Sequence, residues 1–148
     1  MRSIARTGLV VGFAVAVCTA ACLDNASIGP SRVLTLDGIV QDLRQQGMTV
    51  ASAGSEPRES FPFFSVQGKR LIVNGDNVYV FEYVTDTIAT KEASTVAPSG
   101  TPIGTTQTTW ISPPRFYKKD RFILLYVGTA PEVVRALDAA FGKPFAGG

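Results

Sequence analysis

The chain has 148 residues, with 14 Lys and Arg against 12 Asp and Glu, two Cys and no His. That length suits one hydrophobic core, and the missing imidazole removes the commonest general base and the commonest zinc ligand. Arg2 and Arg6 supply the whole basic excess, so the chain beyond the leader is neutral, which argues against nucleic acid as a partner because phosphate contacts need a net basic face.

Residues 1–21 read as an export signal. Arg2 and Arg6 form a positive n-region, residues 8–17 an apolar h-region, and Thr19-Ala20-Ala21 the small residues a signal peptidase accepts. The apolar run falls short of the ~20 residues a bilayer span needs. Thr19-Ala20-Ala21-Cys22 resembles a lipobox, in which the Cys takes a diacylglyceryl group and becomes the new N-terminus. The resemblance departs at Thr19, where Leu is usual. Cys18 fits less well, because bulky Val17 precedes it. The plain alternative is cleavage after Ala21 without lipid, giving a soluble secreted protein. Each buried CH₂ adds about 0.8 kcal/mol, so a multiply acylated Cys22 would anchor stably where one chain is marginal. Leu23 rather than Asp after the Cys favours, by resemblance, an outer membrane. Both cysteines lie within the first 22 residues, so the remaining chain has neither disulfide nor thiol nucleophile. Residues 22–33 are expected to be the lipidated Cys and a flexible tether, and residues 34–148 a single domain.

Within that domain the first helix is expected over residues 36–46. Thr35 can cap it, Asp37 suits the positive first turn, and Leu36, Ile39, Val40 and Leu43 form one apolar stripe. Gly47 ends it. Residues 48–53 read as a short strand, 55–62 as a polar loop, and 63–66 as an extended run broken at Gly68. Residues 69–73 and 78–83 read as two strands joined through Asn74-Gly75-Asp76-Asn77, because Asn-Gly takes positive φ cheaply. A weak helix is expected over 87–96, capped by Asp86 or Thr85, with Ala89, Ala93 and Val96 inward and Pro98 stopping it.

Residues 99–104 read as a loop and 105–112 as a strand that Pro113-Pro114 ends. The unbroken apolar run 122–127 reads as a central strand. The last helix is expected over 130–141, with Thr129 and Glu132 as a capping box, Pro131 in the first turn, and Val133, Leu137, Ala140 and Phe141 inward. The expected fold class is α+β: a two-layer antiparallel sheet with helices on one face, of ferredoxin-like character, in the order α-β-β-β-α-β-β-α.

The pieces Leu36-Asp37-Gly38, Phe63-Phe64-Ser65-Val66, Val73-Asn74-Gly75, Val80-Phe81-Glu82-Tyr83, Ile103-Gly104-Thr105, Phe116-Tyr117 and Leu125-Tyr126-Val127-Gly128 resemble a group of small bacterial lipoproteins and secreted proteins of unassigned function. The likeness spans most of the chain beyond the leader. It implies one exported domain and carries over no site residues.

Candidate chemistry is sparse. Residues 115–121 mix four basic residues with Phe116 and Tyr117, so Lys118 and Arg121 could grip an anionic partner, lipid headgroup or glycan. The competing reading is a solvated hairpin turn. Trp110, with Phe116 and Tyr117, could line a pocket for a sugar or apolar ligand, or could simply pack. Glu82 could serve as an acid if half buried with a raised pKa, or could pair with an Arg at the strand end. No phosphate loop, calcium-loop spacing or glycosidase carboxylate pair is present, so neither cofactor nor metal is expected. Strands apolar on both faces would leave Tyr79, Phe81 and Tyr83 on a face that three helices on the other side cannot cover. That suggests an interaction surface or a homodimer. The leading expectation is a non-enzymatic, envelope-tethered domain that binds a protein or ligand. The alternative is a small carboxylate-dependent hydrolase or transferase acting on cell-wall material.

Overall fold

A computed structural model describes residues 33–148; the leader and Cys22 lie outside the described residues. Helix α1 (Leu36–Gln45) starts where Thr35 Oγ1 accepts the Gly38 N–H at 3.0 Å, and its stripe buries Ile39 and Leu43. Strand β1 (Val50–Ser55) begins two residues later than the sequence suggests and is bulged between Ser52 and Ser55. Strands β2 (Lys69–Val73) and β3 (Asp76–Glu82) form the expected hairpin. Its turn is tighter than expected, because Asn74 and Gly75 both take positive φ, 49° and 94°, and pairing resumes at once between Val73 and Asp76. The Asn74 side chain accepts the backbone N–H of Thr49 at 2.8 Å and so ties the turn to the start of β1.

Helix α2 (Asp86–Ala93) is capped by Thr85, which accepts the Ile88 N–H. It stops three residues short of expectation, yet Ala89, Ala93 and Val96 are all buried. Strands β4 (Pro114–Lys119) and β5 (Phe122–Val127) are a second tight hairpin turning at Asp120, whose φ is 48°. Helix α3 (Pro131–Phe141) begins one residue late. No capping box forms; Ala130 occupies the cap position and its N–H donates instead to the Tyr126 hydroxyl at 3.0 Å. A two-residue strand β6 (Ala146–Gly147) follows.

The six strands form one sheet in the order β1-β2-β3-β5-β4-β6, with every neighbouring pair antiparallel. The α+β class and the antiparallel sheet agree with the sequence reading. Three parts of that reading need correction. Residues 105–112 are not a strand; they form a connection over the sheet with a bridge between Ile103 and Thr106. Their place in the sheet is taken by residues 114–119, where Pro114 opens the strand instead of ending one. Residues 63–66 also fold over the sheet instead of joining it.

The third correction concerns the layers, because helices lie on both faces. Side chains alternate along a strand, so β3 sends Val78 and Val80 one way and Phe81 the other, and β5 divides Phe122, Leu124 and Tyr126 from Ile123 and Leu125. One core joins the first set to Ile39 and Leu43 of α1 and to Val133 and Leu137 of α3. The second core joins Phe81, Ile123 and Leu125 to Ala89 and Ala93 of α2, with Phe64, Val96 and Ile103 from loops. The face that seemed to need a second copy is therefore covered by the chain itself: Phe81 is 0% and Tyr83 2% exposed. That removes the geometric reason for a homodimer there.

Candidate ligand groove

The second face is left open at one end of the sheet, and there the opening continues to Asp76, which shares the face of Val78 and Val80. Where the β2–β3 turn, the 108–112 connection and the β5–α3 junction meet, they leave an open groove of about 710 Å³. That lies within the ~300–1,000 Å³ typical of small-molecule sites.

Phe61 and Tyr79 form one aromatic wall, their ring centroids 4.6 Å apart and planes at 59°. Trp110 and Ile111 contribute on the connection side. The Trp110 indole N–H donates to the Gly100 carbonyl at 3.0 Å, and the ring meets Phe63 and Phe116 edge-on. Trp110 is thus fixed before any ligand arrives and remains partly exposed. Ile111 is 100% exposed at the lip, an unusual setting for so apolar a side chain.

Asp76 opens β3 and is the charged residue lining the groove. Its Oδ2 accepts the Tyr126 hydroxyl at 2.7 Å, and that hydroxyl in turn accepts the Ala130 N–H. The chain Ala130–Tyr126–Asp76 ties the groove's acid to the start of α3. Burial raises the Tyr126 pKa to about 12, with help from the hydrogen bond to Asp76, so this hydroxyl stays a donor at neutral pH. Gly128 is required beside it, because a Cβ there would run into the Tyr126 hydroxyl and ring. Burial also raises the Tyr79 pKa, and the nearby Glu56 charge adds to the effect.

The residues singled out from sequence divide sharply. Trp110 and Tyr79 line the groove. Phe81, Phe116 and Tyr117 do not; each is 0% exposed, so they are packing residues. Phe116 supports Trp110 from beneath, whereas Tyr117 points to the other face and donates to Asp138 Oδ1 at 2.9 Å. Burial, with that hydrogen bond, raises its pKa.

Lys118 and Arg121 already have acidic partners. Lys118 lies 2.5 Å from Asp86 and Arg121 2.8 Å from Glu82, so a ligand would have to displace an existing partner. The cluster reads as a strand whose cations are each matched by another element: Arg115 donates to the Gly128 carbonyl and Lys119 to that of Ala140.

Glu82 sits between Lys69 at 3.2 Å and Arg121 at 2.8 Å. Burial pushes its pKa up, but the hydrogen bonds and charges of Arg121 and Lys69 outweigh that and hold it below the usual value. A general acid needs the opposite shift; the structure instead shows the other reading of Glu82, a carboxylate paired with an Arg at the end of its strand.

Phe61, Asp76 and Ile111 were not anticipated. Phe61 sits in a polar loop without periodicity, Ile111 ends a segment that reads as a strand, and Asp76 reads as an ordinary turn residue. Among the described residues no group of three or more His, Cys, Asp or Glu could hold a metal ion, and no helix is long and apolar enough to cross a membrane. Comparison with protein-family models, with curated proteins and with solved structures finds no match to this chain.

Proposed function

We propose that this chain is an exported domain, tethered to a membrane through lipid on Cys22, that binds a ligand in the groove beside Trp110. The observation that carries the binding half is the groove itself: a rigid aromatic wall, an exposed isoleucine lip and a single charged group in one concavity of small-molecule size. The tether half rests on the leader and on Cys22 directly after small residues. The resemblance of the sequence to small exported lipoproteins supports the same reading.

The test is the intact mass of the protein from native membranes, with and without Cys22→Ser, followed by a thermal-shift screen of small polar and amphipathic compounds. The expected result is an acylated Cys22 as the first residue, lost in the variant. The screen should yield compounds that raise the melting temperature of wild type but not of Tyr79→Ala. An unmodified N-terminus would overturn the tether. Stabilising compounds that act equally on Tyr79→Ala would overturn the groove.

A further inference from the structure

The chemistry of the lining restricts what the groove can hold. Asp76 is acidic, and among the described residues no Lys or Arg lines the groove. Arg70, the register partner of Tyr79, is engaged by Glu56 at 2.9 Å. An anion would therefore meet a carboxylate and no counter-charge.

A purely apolar ligand fits poorly for a different reason. Asn77, Thr108, Thr109, Ser112 and Thr129 line the groove, and none of their side chains has a hydrogen-bond partner among the described residues. Asp76 spends Oδ2 on Tyr126 and leaves Oδ1 free. Covering these groups with hydrocarbon would strand them, at about 1–3 kcal/mol each.

A bare cation would be served by rings arranged around one point. Here they run along a wall. Tyr79 lies against Phe61, and Phe61 meets Phe63 and Phe81 edge-on at 6.0 and 5.3 Å.

Flat aromatic surface beside a ring of unused hydroxyl, amide and carboxylate groups matches one ligand chemistry well. A sugar ring presents a C–H face that lies on an aromatic side chain and equatorial hydroxyls that both donate and accept. We infer that the groove takes a neutral saccharide. Its ring lies against the Phe61–Tyr79 wall with Trp110 on the connection side, and its hydroxyls bond to Asp76 and Asn77 and to the threonines of the 108–109 connection. This rests on the proposed groove function and names its ligand class. The locked indole and the Tyr126-held carboxylate mean that little ordering is left for binding to do.

Trp110 is the sole tryptophan of the chain, so its fluorescence reads occupancy of the groove by any ligand. The purified protein is titrated with neutral trimers of glucose in two linkages and of N-acetylglucosamine, and separately with tetramethylammonium and with an apolar dye. The expected result is a saturable change in Trp110 emission with at least one trimer. Asp76→Asn keeps a carbonyl for the Tyr126 hydroxyl yet should weaken binding about ten-fold, as loss of a charged hydrogen-bond acceptor implies. Thr109→Ala, at an exposed position, should weaken it about three-fold through one neutral hydrogen bond. Melting temperatures of both variants confirm that they remain folded. A response to the cation or the dye but to no saccharide would overturn the ligand class and leave the groove function standing. Silence from every probe would overturn both. Saccharide binding untouched by Asp76→Asn and Thr109→Ala would place the ligand elsewhere and overturn the inference.

Discussion

The two faces of the sheet are covered by different means, and the difference locates function. Under α1 and α3 the cover is regular. Two amphipathic helices set Ile39, Leu43, Val133 and Leu137 onto Val78, Val80, Leu124 and Tyr126. Apolar stripes at helical spacing meet a pleated surface. On the opposite face the cover is the eight-residue α2 together with loops, and aromatic rings fill the space where a second helix would lie. Phe64 packs on Phe81 at 4.6 Å and Trp110 on Phe116 at 5.9 Å. Loops follow the sheet less closely than a helix does, and the groove is the remaining space. A closed face stabilises, while an irregularly covered face supplies a concavity with polar backbone and side chains at its rim.

Truncations on the two faces should separate these roles. Phe64→Ala removes the ring that joins the loop cover to Phe81 and should cost about 3–5 kcal/mol. Urea denaturation should show that loss, and groove binding should fall with it. Leu137→Ala on the other face should cost about 2–5 kcal/mol yet leave ligand affinity unchanged under conditions where the protein stays folded. Equal effects of the two on affinity would mean that the faces are not functionally distinct.

A pH titration sharpens the comparison at the alkaline end. All four tyrosines have raised pKa values, burial being the first cause in each. The folded state therefore holds phenolic protons that the unfolded state releases above its ordinary pKa of about 10. Stability should fall as pH rises beyond that point. Ultraviolet absorbance should show most of the tyrosinate appearing together with unfolding, with Tyr79 of the open groove the first to titrate. A full four-tyrosine signal near pH 10 in a still-folded protein would contradict the burial of Tyr83, Tyr117 and Tyr126.

Tyr126→Phe should cost about 1–2 kcal/mol, because it removes the bridge between Asp76 and the Ala130 N–H in one step. It belongs to the closed face by packing and to the groove by its hydroxyl, so it should lower both melting temperature and ligand affinity. The smallest effect is expected at Glu82. Its depressed pKa contributes stability above the ordinary carboxylate range that is lost as pH falls through the folded value. The group is about a third exposed and screened, so Glu82→Gln should cost under about 1 kcal/mol at neutral pH and flatten the acid limb of the stability profile.

What could be read from the sequence follows from where local signals were strong. Thr35 and the Leu36–Leu43 stripe announce α1, Asn74-Gly75 announces the β2–β3 turn, and the run 122–127 announces a strand buried on both faces. Strand β4 is disguised. Pro113-Pro114 looks like an ending, and Arg115, Lys118 and Lys119 look like a solvated turn. Their partners, Gly128, Asp86 and Ala140, are supplied by segments distant in sequence. Residues 105–112 mislead in the opposite sense, since β-prone threonines alternate toward Trp110 but the indole is anchored to Gly100 in the covering layer. Strand β6 is too short to show any period. Of the groove, Trp110 and Tyr79 were legible as large aromatics. Phe61 and Asp76 were not, because only the fold brings the 61–66 cover and the β3 start to the same concavity.

Binding belongs to the end of the sheet where the loop cover opens between the β2–β3 turn, the 108–112 connection and the β5–α3 junction, and not to the surface of α1 and α3. Backbone amide chemical-shift mapping with a neutral saccharide trimer tests this most directly. Shifts should concentrate at residues 75–79, 108–112 and 127–130, with α1 and the exposed side of α3 silent. Shifts centred on α1 and α3, or none at saturating trimer, would contradict it.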